Sequence, residues 1–167
     1  MPPKPAMNSD LSMNFLREKP EDWLLQFDYL VYLSVSGNLI SNSFKVPPSL
    51  RSLSAYDNQL QDIRMMMETG KLWKVSFARN KLEVIRTDTF RNCNELAKVG
   101  LSANKISQIE PGGLSVSNST EIWLNDNPGV ELSPAAFGGR RFKSISLQGN
   151  HLTSIESYTL GGMLLTV

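Results

Sequence analysis

Few side chains in this sequence are of the types that do chemistry, and their placement keeps them from acting together. Nucleophilic catalysis needs a hydroxyl or thiol beside a base that a third group orients. The chain has one histidine, His151, placed directly after an asparagine, and one cysteine, Cys93. His151 reads as a turn residue and Cys93 as a small buried one, so no catalytic residue is expected. A single thiol cannot form an intramolecular disulfide, and it leaves no cysteine cluster for zinc. No metal and no cofactor are expected either. The pairs Gly112-Gly113, Gly138-Gly139 and Gly161-Gly162 lack the Gly-Lys-Ser/Thr ending of a phosphate loop. They read as turns, and Glu21 with Asp22 reads as the charged start of a helix. Asn118-Ser119-Thr120 is a glycosylation sequon, meaningful only in a secreted context.

Binding is the remaining kind of work, and the elements that would position binding residues follow from a repeat. Asparagines stand at Asn38, Asn58, Asn80, Asn104, Asn127 and Asn150, in steps of 20, 22, 24, 23 and 23 residues. Apolar residues keep fixed offsets of eight, five and three before each asparagine and usually two and five after it. The central copy reads Leu96, Val99, Leu101, Asn104, Ile106, Ile109, and its neighbours read Leu72, Val75, Phe77, Asn80, Leu82, Ile85 and Phe142, Ile145, Leu147, Asn150, Leu152, Ile155. A period in this range predicts a solenoid. Apolar positions five and three before the asparagine alternate with polar ones, as in a strand with one buried face. The asparagine itself answers a backbone need, because its amide both donates and accepts where a coil turns sharply after its strand. The six asparagines are therefore expected to form a structural ladder.

From about Leu30 onward these residues resemble the leucine-rich-repeat family, with its LxxLxLxxNxL pattern, mostly in "typical" repeats. Phe90 and Phe137, ten residues after their asparagines, resemble that longer form, whereas Phe44-Lys45-Val46-Pro47-Pro48-Ser49 resembles the shorter repeats of bacterial effectors. The resemblance implies an α/β solenoid: a curved stack with a concave parallel β-sheet and an irregular or short-helical convex side. Residues 30–167 are read as about six repeats, truncated at the C-terminus, and residues 1–29 as a disordered tail and a helical N-terminal cap. In that cap Pro20, Glu21 and Asp22 would open a helix carrying Trp23, Leu24 and Phe27, and Asp10 to Arg17 would form a shorter helical piece. Ser43 takes an apolar position in the first repeat, and Ser119, Pro128 and Gly129 make the fifth the least regular.

The alternation also predicts which side chains face out from the concave sheet. Six before each asparagine stand Tyr32, Ser52, Lys74, Lys98, Glu121 and Ser144; four before stand Ser34, Ser54, Ser76, Gly100, Trp123 and Ser146. Two before are Ser36, Tyr56, Ala78, Ser102, Asn125 and Gln148, and at the rim are Gly37, Asp57, Arg79, Ala103, Asp126 and Gly149. At about 4.8 Å per strand the face is roughly 24 Å long. On this small, hydroxylated floor the candidate partner-binding residues are Tyr56, Lys74, Arg79, Lys98, Trp123, Asn125 and Asp126. Two cross-strand ion pairs, Lys98 with Glu121 and Arg79 with Asp57, are the competing ordinary-surface expectation.

Together these features predict a non-enzymatic protein–protein interaction module, a scaffold binding a protein or peptide. The alternatives are a fragment of an extracellular ligand-binding receptor and the substrate-recruiting region of an effector. Lys and Arg number 17 against 16 Asp and Glu, a net charge of +1, and no strong field draws a polyanion. Nucleic acid is thus not expected as a partner. No run of about 18 apolar residues occurs, so no membrane insertion is expected. Leu164, Leu165 and Val167 would leave an apolar C-terminal edge open to self-association. The expected location is cytoplasmic for a native N-terminus and extracellular for a receptor fragment.

Overall fold

A computed structural model describes residues 7–17, 24–132 and 134–154. The proposed helix start at Pro20 to Trp23, the tail 1–6, Ile155, Gly161-Gly162 and the edge Leu164, Leu165 and Val167 lie outside the described residues.

Seven short parallel strands form one sheet: β1 (Met7–Asp10), β2 (Leu30–Ser34), β3 (Ser52–Ser54), β4 (Lys74–Ser76), β6 (Lys98–Gly100), β8 (Glu121–Trp123) and β9 (Ser144–Ser146), paired in that order. On the opposite side of the coils β5 (Val84–Ile85) pairs with β7 (Gln108–Ile109), and Gln108 bridges Glu131. The rest of that convex side is turns and two 3-10 segments, Arg64–Met67 and Pro134–Phe137. This is a leucine-rich-repeat-type solenoid. Among the described residues no helix is long and apolar enough to cross a membrane.

The coils stack because each contributes the same inward set. Leu33, Leu53, Val75, Val99, Ile122 and Ile145 sit mid-strand and are buried, as are Val35, Ala55, Phe77, Leu101 and Leu124 two residues on. Burial of a side chain of Val, Leu, Ile or Phe size contributes about 1.5–3 kcal/mol, and no coil could bury this face alone. In the first coil, where Ser43 replaces an apolar residue, Phe44 and Val46 turn inward instead. The Ser43 hydroxyl is buried without a partner.

The turn after each strand has a common device. Met13, Gly37, Asp57, Arg79, Ala103, Asp126 and Gly149, each standing immediately before an asparagine or its equivalent, all have φ between 53° and 73°. Only Gly adopts this left-handed region without cost, and other residues forfeit roughly 1–2 kcal/mol there. What holds them is hydrogen bonding across coils: Asp57 N–H donates to Ala78, Arg79 to Ser102 and Ala103 to Asn125, at 2.8–3.0 Å.

The asparagine amides complete the turn. Asn104 Nδ2 donates to the carbonyls of Phe77, Leu101 and Ser102 at 2.9–3.2 Å, and its Oδ1 accepts the Leu82 N–H at 3.1 Å. Asn58 and Asn80 repeat this pattern. Asn127 repeats it too, and the departure comes at Asn150. Pro128 and Gly129 redirect the chain, so Asn150 Oδ1 accepts from the N–H of Asn127 itself. The Asn150 Nδ2 is buried without a partner.

The N-terminal segment differs from expectation. Asp10 to Arg17 is not helical: β1 runs into it, and Leu11 and Met13 N–H groups donate to Ser34 and Ser36 at 2.8 Å. An eight-residue helix is marginal by itself, whereas the edge of β2 offers this segment a ready set of backbone partners. Asn14 stands where a ladder asparagine would, its Nδ2 donating to Leu11 and Ser12 carbonyls at 3.1 Å. Leu16 N–H in turn donates to Asn38 Oδ1 at 2.9 Å. Ser9, Leu11, Asn14 and Leu16 thus form a coil ahead of the six read from the repeat. Leu24 is buried and Phe27 packs against the core.

Candidate functional site

The concave sheet aligns the outward columns in register. Tyr32, Ser52, Lys74, Lys98, Glu121 and Ser144 are consecutive cross-strand partners, as are Ser34, Ser54, Ser76, Gly100, Trp123 and Ser146. On each three-residue strand the middle side chain is buried and those on either side face out, half-buried or exposed. Period-two geometry therefore presents these columns to solvent.

Of the seven candidate residues Tyr56 and Arg79 meet and Lys74 and Lys98 are cross-strand neighbours, while the two predicted ion pairs are absent. The Arg79 guanidinium lies over the Tyr56 ring, 5.6 Å from its centroid, rather than on Asp57. Glu121 takes Lys143, at 2.7 Å, in place of Lys98. The hydrogen bond from Lys143, with a weaker contribution from Lys98, holds the Glu121 carboxyl below the usual glutamate range. Lys98 instead places its ammonium 5.9 Å from the centroid of Trp73. The reason is geometric. Lys143 is an exposed residue one coil beyond Glu121 and reaches its carboxylate, while an aromatic face next to Lys98 attracts the cation that remains.

Lys74 is exposed and its ammonium has no hydrogen-bond or ion-pair partner among the described residues. Trp123 is half-buried and stands between Gly100 and Ser146 in register. A Cβ built on Gly100 would lie nearest Ser76 and Val75, at 3.4–3.7 Å, with the indole farther off. Asn125 is already engaged, its Oδ1 accepting from Ser146 Oγ at 2.6 Å and Gln148 N–H at 3.0 Å. Asp126 is exposed in its left-handed turn, its carboxylate lying over Gly149. The face thus gathers two cation–aromatic pairs, one unpaired lysine and one tryptophan on a floor of serines.

Trp73, which is 49% exposed, escapes the sequence reading. It stands seven before Asn80, outside the columns that alternation predicts, and the only signal for it is a large aromatic beside Lys74 in a mostly polar stretch. Arg51 holds the same position one coil earlier and pairs with Glu95.

No protein-family model matches the chain, and no curated protein matches it in sequence. Among solved structures the chain is similar to the crystal structure of the TLR13–ssRNA13 complex, with a TM-score of 0.65 at 19% identity over 93% of this chain. The chain spans 28% of the length of that neighbour. The likeness is one of fold. It corrects one expectation, since a solenoid of this shape occurs in a complex with single-stranded RNA. A net charge of +1 is a property of the whole chain and does not describe one face, so it is no ground for ruling out nucleic acid.

Proposed function

We propose that the chain is a non-catalytic binding module that holds a polypeptide partner across its concave sheet. Tyr56 with Arg79, Lys98 with Trp73, Lys74 and Trp123 would make the contacts. The observation that carries this reading is the clustering of large aromatic and cationic side chains in the middle coils of one face, where Ser52, Ser54, Ser76, Ala78, Gly100 and Ser102 surround them. Aromatic and arginine side chains dominate binding energy at interfaces because they bury much area at little entropic cost. The absence of catalysis rests on two residues. Cys93 is buried, its thiol pushed up to about 12 by desolvation, and His151 is exposed in a left-handed turn. Solenoids of this type are typically non-enzymatic. A second reading, single-stranded RNA on the same face, is favoured by the neighbour's complex and by the aromatic–cation pairs, which also suit stacked bases and phosphates.

The test is affinity for a partner captured on the immobilised chain. Trp123→Ala should weaken it by about 2 kcal/mol or more, with an unchanged melting temperature, and Arg86→Ala on the convex side should leave it unaltered. Equal affinity for Trp123→Ala and the parent would defeat the assignment. Lost stability in Trp123→Ala would make the indole a structural residue.

A further inference from the structure

Lys74 and Lys98 are cross-strand partners, so their Cα atoms stand about one strand spacing apart, roughly 4.8 Å. Like charges directly opposite each other on a sheet repel. Neither forms an ion pair within the described residues: the Lys74 ammonium has no partner, Lys98 lies against an indole, and the nearest carboxylate in the column, Glu121, feels Lys98 only at longer range and is bonded to Lys143. Beside them the floor is Ser76 and Gly100, the smallest pair in its column, and the wall on the next strand is Trp123. In register, two lysines therefore stand on adjacent strands with small residues two positions on and Trp123 one strand beyond.

Resting on the concave-face reading above, we infer that Lys74 and Lys98 form a subsite for one acidic side chain, Asp or Glu, of an extended polypeptide partner, whose adjacent apolar residue packs on Trp123. The extent of the positive charge decides for a carboxylate over a polyanion. The doubly cationic stretch is two strands wide, with Ser52 on one side and Glu121 on the other. At the rim Asp57 and Asp126 flank the coils of Arg79 and Ala103. A chain of phosphates crossing the strands would run from the lysines onto Glu121. A single carboxylate between the lysines relieves their repulsion and stops one strand short of Glu121, whose charge Lys143 offsets.

The test is selection of random peptides of about twelve residues on the full chain, in parallel with Lys74→Gln/Lys98→Gln and with Trp123→Ala. Circular dichroism should show that the lysine variant folds, because neither side chain is in the core. The parent should enrich peptides with Asp or Glu at one register beside an apolar residue. A selected peptide should bind the lysine variant about tenfold more weakly, the loss expected for a charge-assisted contact. Replacing its acid by Gln should cost the parent a similar factor and the lysine variant little. Enriched peptides that need Trp123 but show no acidic preference, or that bind the lysine variant equally well, overturn the inference alone. No enrichment, or enrichment insensitive to both variants, overturns the concave polypeptide reading with it. Oligouridylate binding tighter than any selected peptide, with a salt dependence of several charges, overturns the inference in favour of RNA.

Discussion

At the scale of single residues, the structure divides its asparagines by what their amides reach. Asn104 makes three donor contacts and one acceptor contact; the Leu82 N–H it accepts from has no second partner, whereas the carbonyls of Phe77, Leu101 and Ser102 also accept from Asn80, Asn127 and the Arg79 N–H. Removing that amide strands the buried Leu82 N–H, at a cost of about 1–3 kcal/mol, and takes one of two donors from each carbonyl. Asn150 is buried as well, but its Nδ2 has no partner. Chemical denaturation should therefore rank the alanine variants, with Asn104→Ala well below the parent, Asn150→Ala closer to it, and Asn8→Ala on the exposed face of β1 near neutral. Equal losses at positions 104 and 150 would show that burial, not bonding, sets the cost. These positions were legible in the sequence because their spacing is regular. The shift of Asn150 Oδ1 onto the Asn127 N–H accompanies Pro128 and Gly129 one coil earlier, which the sequence marks as irregular without revealing which partner changes.

At the scale of elements, the strands were legible and the first of them was not. Each strand read from the repeat places a buried aliphatic residue between two outward ones, and that alternation is visible in the residues themselves. β1 carries Ser9 where the others carry Leu, Val or Ile, so the pattern faded, and Asp10 to Arg17 read as a short helical piece instead. The choice is settled by inter-coil hydrogen bonds, which local sequence does not display. Side-chain pairing was also hidden. Register placed Lys98 opposite Glu121, yet the reach of Lys143 and the face of Trp73 decided where the charges went. A glycine substitution separates strand-and-turn from helix at the N-terminus. Met13 is 83% exposed with φ of 57°, so Met13→Gly relieves a strained turn and should leave stability unchanged or raise it by up to about 1 kcal/mol. In a helix the same change would cost about 1 kcal/mol. Thermal melting of the variant distinguishes the two by sign.

At the scale of the whole molecule, stacking seven strands in one register converts a sequence period into a surface. The solenoid and the outward columns were legible in that period, because every coil repeats one geometry, while the concave parallel sheet came from the resemblance to leucine-rich repeats. The partner was not, because a composition-wide charge of +1 averages over both faces and conceals a local row of cations and aromatics on one of them. The central claim is that ligand contacts fall on this concave face. The most direct measurement is site-specific photo-crosslinking, with benzoylphenylalanine placed singly at Ser76 and Ser102 on the concave sheet and at Thr87 and Gln108 on the convex side, each mixed with a captured partner or selected peptide. The account predicts crosslinks from positions 76 and 102 and none from 87 and 108. Crosslinks confined to the convex positions would contradict it.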